Sequence, residues 1–406
     1  MAQAICSHLK AATCDETGAS RWLPFWAARP LATMRIALSG LLLHAALGDF
    51  APPRVSVDLD RPPEHRWDEV VAGSREAFRQ ASEAILNSPK IKRFLPAARW
   101  LVGNALEARR LLPGEHYLEA QGIARGLGLP VVDIVLLTAF YDLAAAADSP
   151  AATTACTGIV AQSASGEIFH GRNLDYFFVE PLSNLTLIVD FKKNGSTLFT
   201  AVTFGPTPGF NTVVRHGAFS VTQDERDKGS VLENFWDALV LGRPALFSRM
   251  RQAAETLATY SEALDFLTKV KMDADAYFIL GGTKAGEGAV VTRDRDAATD
   301  VWRLDATAGR WYLLETNYDH DTPPPSGDDR RHPLQRAMEA VGQTGITAAA
   351  MWDVISTTSV NTSAGERRPL NNDTIYSTVM QASRPESFKT LVRSHIARPN
   401  DALLVI

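Results

Sequence analysis

Cys156 is the residue whose position most invites chemistry. The chain holds three cysteines, Cys6, Cys14 and Cys156, with no C-x-x-C pair and no Cys/His grouping at zinc spacing. Neither a structural metal nor a cofactor is therefore expected. Ahead of Cys156 runs Ser149-Pro150-Ala-Ala-Thr-Thr-Ala155, small and loop-like. Behind it the chain turns β-rich. A cysteine at such an internal loop-to-strand boundary can attack the carbonyl of the residue before it, here Ala155. An N-to-S acyl shift gives a thioester, and water then cuts the chain. The new terminus carries a thiol and an α-amine, whose ordinary pKa of about 7.7–8.0 suits it to act as base or as ion-pair partner of the thiolate. One residue thus supplies nucleophile and base, and no separate histidine is required.

Such a site also needs a carboxylate to orient the amine and donors for an oxyanion. Thr157–Gln162 and Glu167–Gly171 flank Ser-Ala-Ser-Gly, which reads as a hairpin. Its return leads into His170-Gly-Arg-Asn-Leu-Asp175, bringing Arg172 and Asp175 beside the cysteine. An Arg and an Asp three apart also occur as a surface pair, and burial distinguishes the two cases. His170 reads as a packing or hydrogen-bonding residue.

The elements that must position these groups fall into two segments. Residues 51–64 are Pro-rich and extended, and helical patterns follow at 67–88, 90–112 and 130–147, so 49–155 is a helical segment. Residues 156–406 alternate groups of strands (185–191 and 197–204; then 276–280, 289–293, 300–304 and 311–315) with helices (231–241, 245–267, 332–341, 347–355), then a last strand at 374–381. That order predicts an α+β fold of packed layers rather than a parallel βαβ sheet. Asn194-Gly195 is a type I′ hairpin signal. Gly281-Gly-Thr-Lys-Ala-Gly-Glu-Gly288 lacks the Gly-Lys-Ser/Thr ending of a phosphate loop and reads as a turn between strands.

Residues 1–48 read as a leader: Met34-Arg35 and the apolar run to Gly48 make a secretory signal with translation starting at Met34, and the run is too short to span a bilayer. Asn184, Asn194, Asn361 and Asn372 head Asn-x-Ser/Thr sequons, as candidate glycan sites on a secretory route. A net charge of −5 gives no support for binding nucleic acid. A mean hydropathy of −0.08 argues against a multi-span membrane protein.

Eight segments in order carry a resemblance: Cys156-Thr-Gly-Ile-Val-Ala-Gln162, His170–Asp175, Val221-Thr-Gln-Asp-Glu-Arg-Asp-Lys-Gly229, Tyr277-Phe-Ile-Leu-Gly-Gly282, Val291-Thr-Arg-Asp-Arg-Asp296, Glu315-Thr-Asn-Tyr-Asp-His320, Asp328-Asp-Arg-Arg331 and Ile375-Tyr-Ser-Thr-Val-Met380. Together they resemble the family of N-acylethanolamine acid amidase and acid ceramidase. The resemblance implies an αββα-sandwich N-terminal-nucleophile hydrolase, with a helical α-subunit (49–155) clamped on a β-subunit (156–406) as a heterodimer from one precursor. It implies that Cys156 cuts the chain and then attacks substrate, that Asp175 orients its amine, and that Arg172 supports that carboxylate. Asn317 would donate its amide to the oxyanion, Glu225 would border the polar head of the substrate, and Arg330 matches an active-site arginine of the ceramidase branch.

The wording of Asp224-Glu-Arg-Asp-Lys-Gly and Tyr318-Asp-His favours the amidase branch. So does the lack of a cysteine beyond Cys156 after leader removal, since acid ceramidase joins its subunits by a disulfide. Saturated N-acylethanolamines such as palmitoylethanolamide would be cut to fatty acid and ethanolamine, with N-acylsphingosine the alternative. Lysosomal residence, a zymogen and activation in acid are further implications. The basic, apolar helices in 67–112 would suit peripheral contact with anionic membranes or micelles, and would equally suit packing on the β-rich body. Two departures stand out: Thr157-Gly158 where the family has Thr-Ser, and a long run of small residues before the cysteine. Rival readings are a bile-salt or penicillin acylase and a catalytically dead lipid carrier, the latter opposed by the presence of Cys156, Asp175 and Asn317.

Overall fold

Alternation along β2 (Thr157–Gln162) sets the layering. Ile159 and Ala161 join a cluster with Leu334, Met338, Met351 and Ile355, while Val160 joins another with Ile279, Val290 and Leu313. Successive side chains of a strand point to opposite faces, so a strand apolar on both sides must be covered twice. The computed structural model describes residues 48–393 except 93–94, 104–108, 140–155, 177, 227, 229–232, 235, 357–362 and 364. The candidate leader, Cys6, Cys14, Asn361 and the peptide bond at Ala155 lie outside the described residues.

Upstream of Cys156 come β1 (Arg54–Asp58) and helices α1 (Asp68–Leu86), α2 (Leu95–Val102), α3 (Glu115–Leu127) and α4 (Val131–Thr138). Helix α3 packs on α1 and α4, and Gly122 faces the Glu64 backbone so closely that a Cβ there would meet its carbonyl at 2.1 Å. Downstream, a five-stranded sheet runs in the spatial order β11 (Tyr312–Glu315), β2, β3 (Ile168–Asp175), β12 (Thr374–Met380), β13 (Lys389–Val392). An eight-stranded sheet runs β1, β4 (Thr186–Lys193), β5 (Ser196–Phe204), β6 (Thr212–Arg215), β7 (Phe219–Glu225), β8 (Ala276–Gly281), β9 (Gly288–Arg293), β10 (Ala298–Arg303). A short α5 (Val179–Leu185) links the sheets and packs on α1. Helices α6 (Leu246–Thr256) and α7 (Tyr260–Lys269) cover the outer face of the larger sheet; α8 (Arg331–Gly345) and α9 (Ala348–Ser356) cover the smaller. The layers are helix, sheet, sheet, helix, as expected. Gly171 on β3 lets α9 approach: a Cβ there would meet Met351 Sδ at 2.7 Å.

The upstream segment is built into the body. β1 is the edge strand of the larger sheet and pairs in parallel with β4, and Phe50 bridges Val392 of β13. Glu119 on α3, fully buried, accepts from Arg66 at 2.9 Å, Trp67 Nε1 at 2.8 Å and Arg251 of α6 at 3.0 Å. Arg251 also lies over the Phe191 ring at 4.2 Å. A carboxylate with that many donors is stable in the interior, whereas one stripped of them would not be.

Three expectations need correction. The helix at 90–112 is broken: Pro89–Lys92 is a single turn, α2 ends at Val102, and Gly103 follows. The helix at 245–267 is two, because Thr259 caps α7 in a capping box with Glu262 and ends α6 just before it. β3 extends to Asp175 rather than stopping at Gly171, so Arg172 and Asp175 sit in the strand itself. Strands β6, β7 and β13 were not foreseen. The hairpin at Asn194-Gly195 holds, with φ of 50° and 75° at the two turn residues. β8 and β9 form the hairpin expected around Gly281–Gly288.

Candidate active site

Cys156 directly precedes β2 and is fully buried. The antiparallel register pairs Thr157 with Asn173 and Gly158 with Arg172, which brings the end of β3 against the sulfur. Arg172 Nη2 lies 3.5 Å from Cys156 Sγ, and Sγ lies 3.8 Å from the Asp175 carbonyl oxygen. The guanidinium is locked from the facing sheet: Nη1 donates to Asn211 O at 2.5 Å and Thr212 Oγ1 at 2.8 Å, and Nη2 donates to Gln223 O at 2.7 Å. Arg172 and Asp175 are both wholly buried, so they are no surface pair. A planar fork held this way presents a fixed positive charge to the thiol.

Asp175 takes Asn371 Nδ2 at 2.6 Å on Oδ2. Burial pushes its carboxyl up to about 6, against the opposing pull of Arg330 and Asn371. Burial likewise pushes the Cys156 thiol up to about 12, with Arg172 pulling down and Asp224 and Asp175 adding to the rise. In this unbroken form the thiol is therefore protonated, and its activation requires a change in its charge partners.

Arg330 is central rather than marginal. It is fully buried at the N-terminal end of α8; Nη1 donates to the Cys156 carbonyl and Nη2 donates to Thr316 O at 2.7 Å and Asn317 Oδ1 at 3.2 Å. Asp328 grips the other edge at 3.0 Å. Asn317 follows β11 in left-handed backbone, φ 72°, and its Nδ2 donates to the Glu225 backbone carbonyl at 2.9 Å. Arg330 thus ties Cys156, Asn317 and, through Asn317, Glu225 into one cluster. All six sequence-derived site residues are brought together. His170 bridges the sheets through Ser220 at 2.9 Å and Thr222 at 3.0 Å, and burial with Arg172 nearby lowers it to about 3. It is the hydrogen-bonding residue expected.

Sequence reasoning missed Asp224, Glu315 and Asn371. Asp224 is wholly buried, with Oδ1 3.6 Å from Arg172 Nη2, and burial raises it to about 7 against Arg172 and Arg330. Burial, with Asp224 nearby, raises Glu315 to about 8. The sole signal for Asp224 was its place beside Glu225 on an alternating strand, facing inward. Asn371 carries no local signal, because it arrives from a loop 196 residues away from Asp175.

Next to the cluster lies an apolar cavity of about 70 Å³. Ile85, Leu127 and Ile134 of the upstream helices form one wall, and Leu174, Leu185 and Phe210 form the other. Asn211, whose carbonyl takes Arg172, belongs to its lining. Among the described residues no group of His, Cys, Asp and Glu could hold a metal ion.

A family model described as the beta subunit of N-acylethanolamine-hydrolyzing acid amidase matches residues 50–108, the part of the chain labelled α above. The rat N-acylethanolamine-hydrolyzing acid amidase is 36% identical over 84% of this chain and 89% of its own. The human acid ceramidase is 34% identical over 84% of this chain and 86% of its own. The solved structure of the Caenorhabditis elegans ortholog of the amidase superposes with a TM-score of 0.50 at 35% identity, covering 57% of this chain and 95% of that one.

Proposed function

This chain belongs to the family of N-acylethanolamine-hydrolyzing acid amidases and acid ceramidases, and on that premise we propose that it hydrolyses N-acylethanolamines through Cys156. The observation that carries the reading is the fixed guanidinium of Arg172 at 3.5 Å from a buried sulfur at a strand start. Cys156 Sγ first attacks the Ala155 carbonyl. The amide nitrogen of Cys156 leaves as the α-amine, and water hydrolyses the thioester. In the cut enzyme the amine takes the thiol proton, Sγ adds to the lipid amide, and ethanolamine leaves with a proton. Water then releases the fatty acid. Arg172 offsets the charge on sulfur, Asp175 orients the amine, and Asn317 donates one of its two amide N–H groups to the oxyanion. Glu225 borders the head group, and Arg330 holds Cys156 in register with Asn317.

The apolar cavity supports an acyl chain entering between the two segments. The cavity lies between the upstream helices and β5 with the residues after it, so an acyl chain would run along that boundary. Hydrolysis of N-acylsphingosine is the second reading, favoured by the similarity to the ceramidase branch.

The same proposal covers a lysosomal protein made through the secretory pathway. Asn194 and Asn372 are exposed and Asn184 is half-buried, as candidate glycan sites. Trp100 on α2 is 81% exposed and Trp236 60%, which supports peripheral contact with anionic membrane. No helix among the described residues is long and apolar enough to cross a membrane.

Mass spectrometry of acid-incubated protein tests the mechanism: a new N-terminus at Cys156 is expected, and an uncut, inactive chain from Cys156→Ala. Cleavage of that variant at the same bond refutes autocatalysis. Faster turnover of N-acylsphingosine than of palmitoylethanolamide would reverse the substrate order. Flotation with phosphatidylserine vesicles at acid pH tests membrane contact, and absence of binding rejects it.

A further inference from the structure

Three groups meet in a row across the smaller sheet. Glu315 of β11 pairs with Gly158 of β2, and Gly158 pairs with Arg172 of β3. All three positions face the larger sheet, and opposite them stands Asp224 of β7. A Cβ on Gly158 would lie 3.4 Å from Asp224 Oδ2 and would press on Ile279 at 2.8 Å. The glycine therefore leaves no side chain between the acid and the basic group. Neither carboxyl oxygen of Asp224 has a hydrogen-bond partner, and both are buried. One guanidinium nitrogen, Arg172 Nη2, lies between two candidates for its charge: Cys156 Sγ at 3.5 Å and Asp224 Oδ1 at 3.6 Å.

We propose that Asp224 is a positioning residue that competes with the Cys156 sulfur for Arg172, so that the nucleophile has the full charge of Arg172 only while Asp224 carries its proton. A protonated Asp224 leaves Arg172 to the thiolate. Ionised, it claims the same nitrogen and adds a second negative charge beside the sulfur, and both effects hold the thiol protonated. The other ionisable groups around Asp224 are Arg172 of β3, Glu315 of β11, Tyr277 of β8, Tyr376 of β12, and Arg330 and Asp175 at the site. The two arginines favour the ionised acid; burial and the two carboxyls oppose it, and burial dominates. The acid is accordingly held near neutrality, at about 7, where a change of compartment would titrate it. Coupled groups of this kind titrate as a set, so the predicted readout is a change in the whole pH profile.

The inference rests on Cys156 being the nucleophile. Self-cleavage of the full chain is a suitable readout because it needs no lipid: if the wild-type chain never cuts at Cys156, the proposed function fails before Asp224 is tested. The rate of cleavage is measured from about pH 5 to about pH 8 for the wild type, Asp224→Asn and Asp224→Ser, with folding checked by near-ultraviolet circular dichroism. The rate of the Asn variant relative to wild type should be about one at the acid end and climb to tenfold or more at the upper end, one unit of thiol pKa being tenfold in thiolate. A ratio that stays flat across the range overturns the proposal, whatever its value. Failure of both variants to fold also overturns it, because Asp224 is then a structural group.

Discussion

Replacing Asn317 separates two roles that the structure places in one residue. Its backbone φ of 72° lies where an L residue with a Cβ is strained, and Asn tolerates it better than most. Its side chain makes two bonds, Nδ2 to Glu225 O at 2.9 Å and Oδ1 from Arg330 at 3.2 Å. Losing the first costs about 1 kcal/mol and the second, from a charged donor, about 1.5–3 kcal/mol. Asn317→Gly and Asn317→Ala lose both, so each should be destabilised by about 3 kcal/mol. Ala additionally carries the left-handed penalty of about 1–2 kcal/mol, while Gly carries an unfolded-state entropy of about 0.5–1 kcal/mol. Gly should therefore be the more stable, by on the order of 0.5–1 kcal/mol in urea unfolding. If the amide stabilises the oxyanion, both variants should lose about 10²–10³ in kcat, with little change in KM. The assay is release of ethanolamine from palmitoylethanolamide by folded, cut enzyme. A Gly variant within about threefold of wild-type kcat would refute the oxyanion role, and an Ala variant as stable as the Gly one would refute the strain estimate.

Thermal stability should fall as pH rises from about 5 to 8. Asp175, Asp224 and Glu315 are raised by burial to about 6, 7 and 8. Between their unfolded values and these, the native state holds more protons, so stability is lost as pH climbs. His170, lowered to about 3, opposes this only below its unfolded value of about 6.5. A Tm that rises steadily to pH 8 would contradict the burial of these acids. Glu119→Ala, in a chain kept whole by Cys156→Ala, removes the carboxylate shared by Arg66 and Arg251 and leaves each buried arginine with one acid, Glu115 and Glu255 respectively. A loss of about 1.5–3 kcal/mol in urea unfolding is expected from the charged hydrogen bonds removed, and one below about 1 kcal/mol would show that the network contributes little.

The layering was legible because hydrophobic period and turn chemistry are local. The switch from helical to strand pattern at Cys156, and Asn194-Gly195 in its turn, are written in short stretches of sequence. The break between α6 and α7 was also local, in Thr259-x-x-Glu262, but an unbroken apolar periodicity concealed it. Arg172 and Asp175 followed from a hairpin return. Glu225, Asn317 and Arg330 followed only from resemblance, since what assembles them is one guanidinium reaching the residue before β2 and the two residues after β11. Asn371 and the pairing of Asp224 with Arg172 depend on inter-sheet contacts that no periodicity encodes.

The parallel pairing of β1 with β4 bears on what a cut at residue 156 can release. A propeptide held only by its linker drifts away once severed. Here the severed piece keeps a rung of the ladder, shielding a border that would otherwise offer free backbone groups to another molecule. Shedding it would expose a template for aggregation, so maturation should yield a permanent nicked partnership, and a synthetic strand spanning Arg54–Asp58 should rescue solubility in any variant that loses its own.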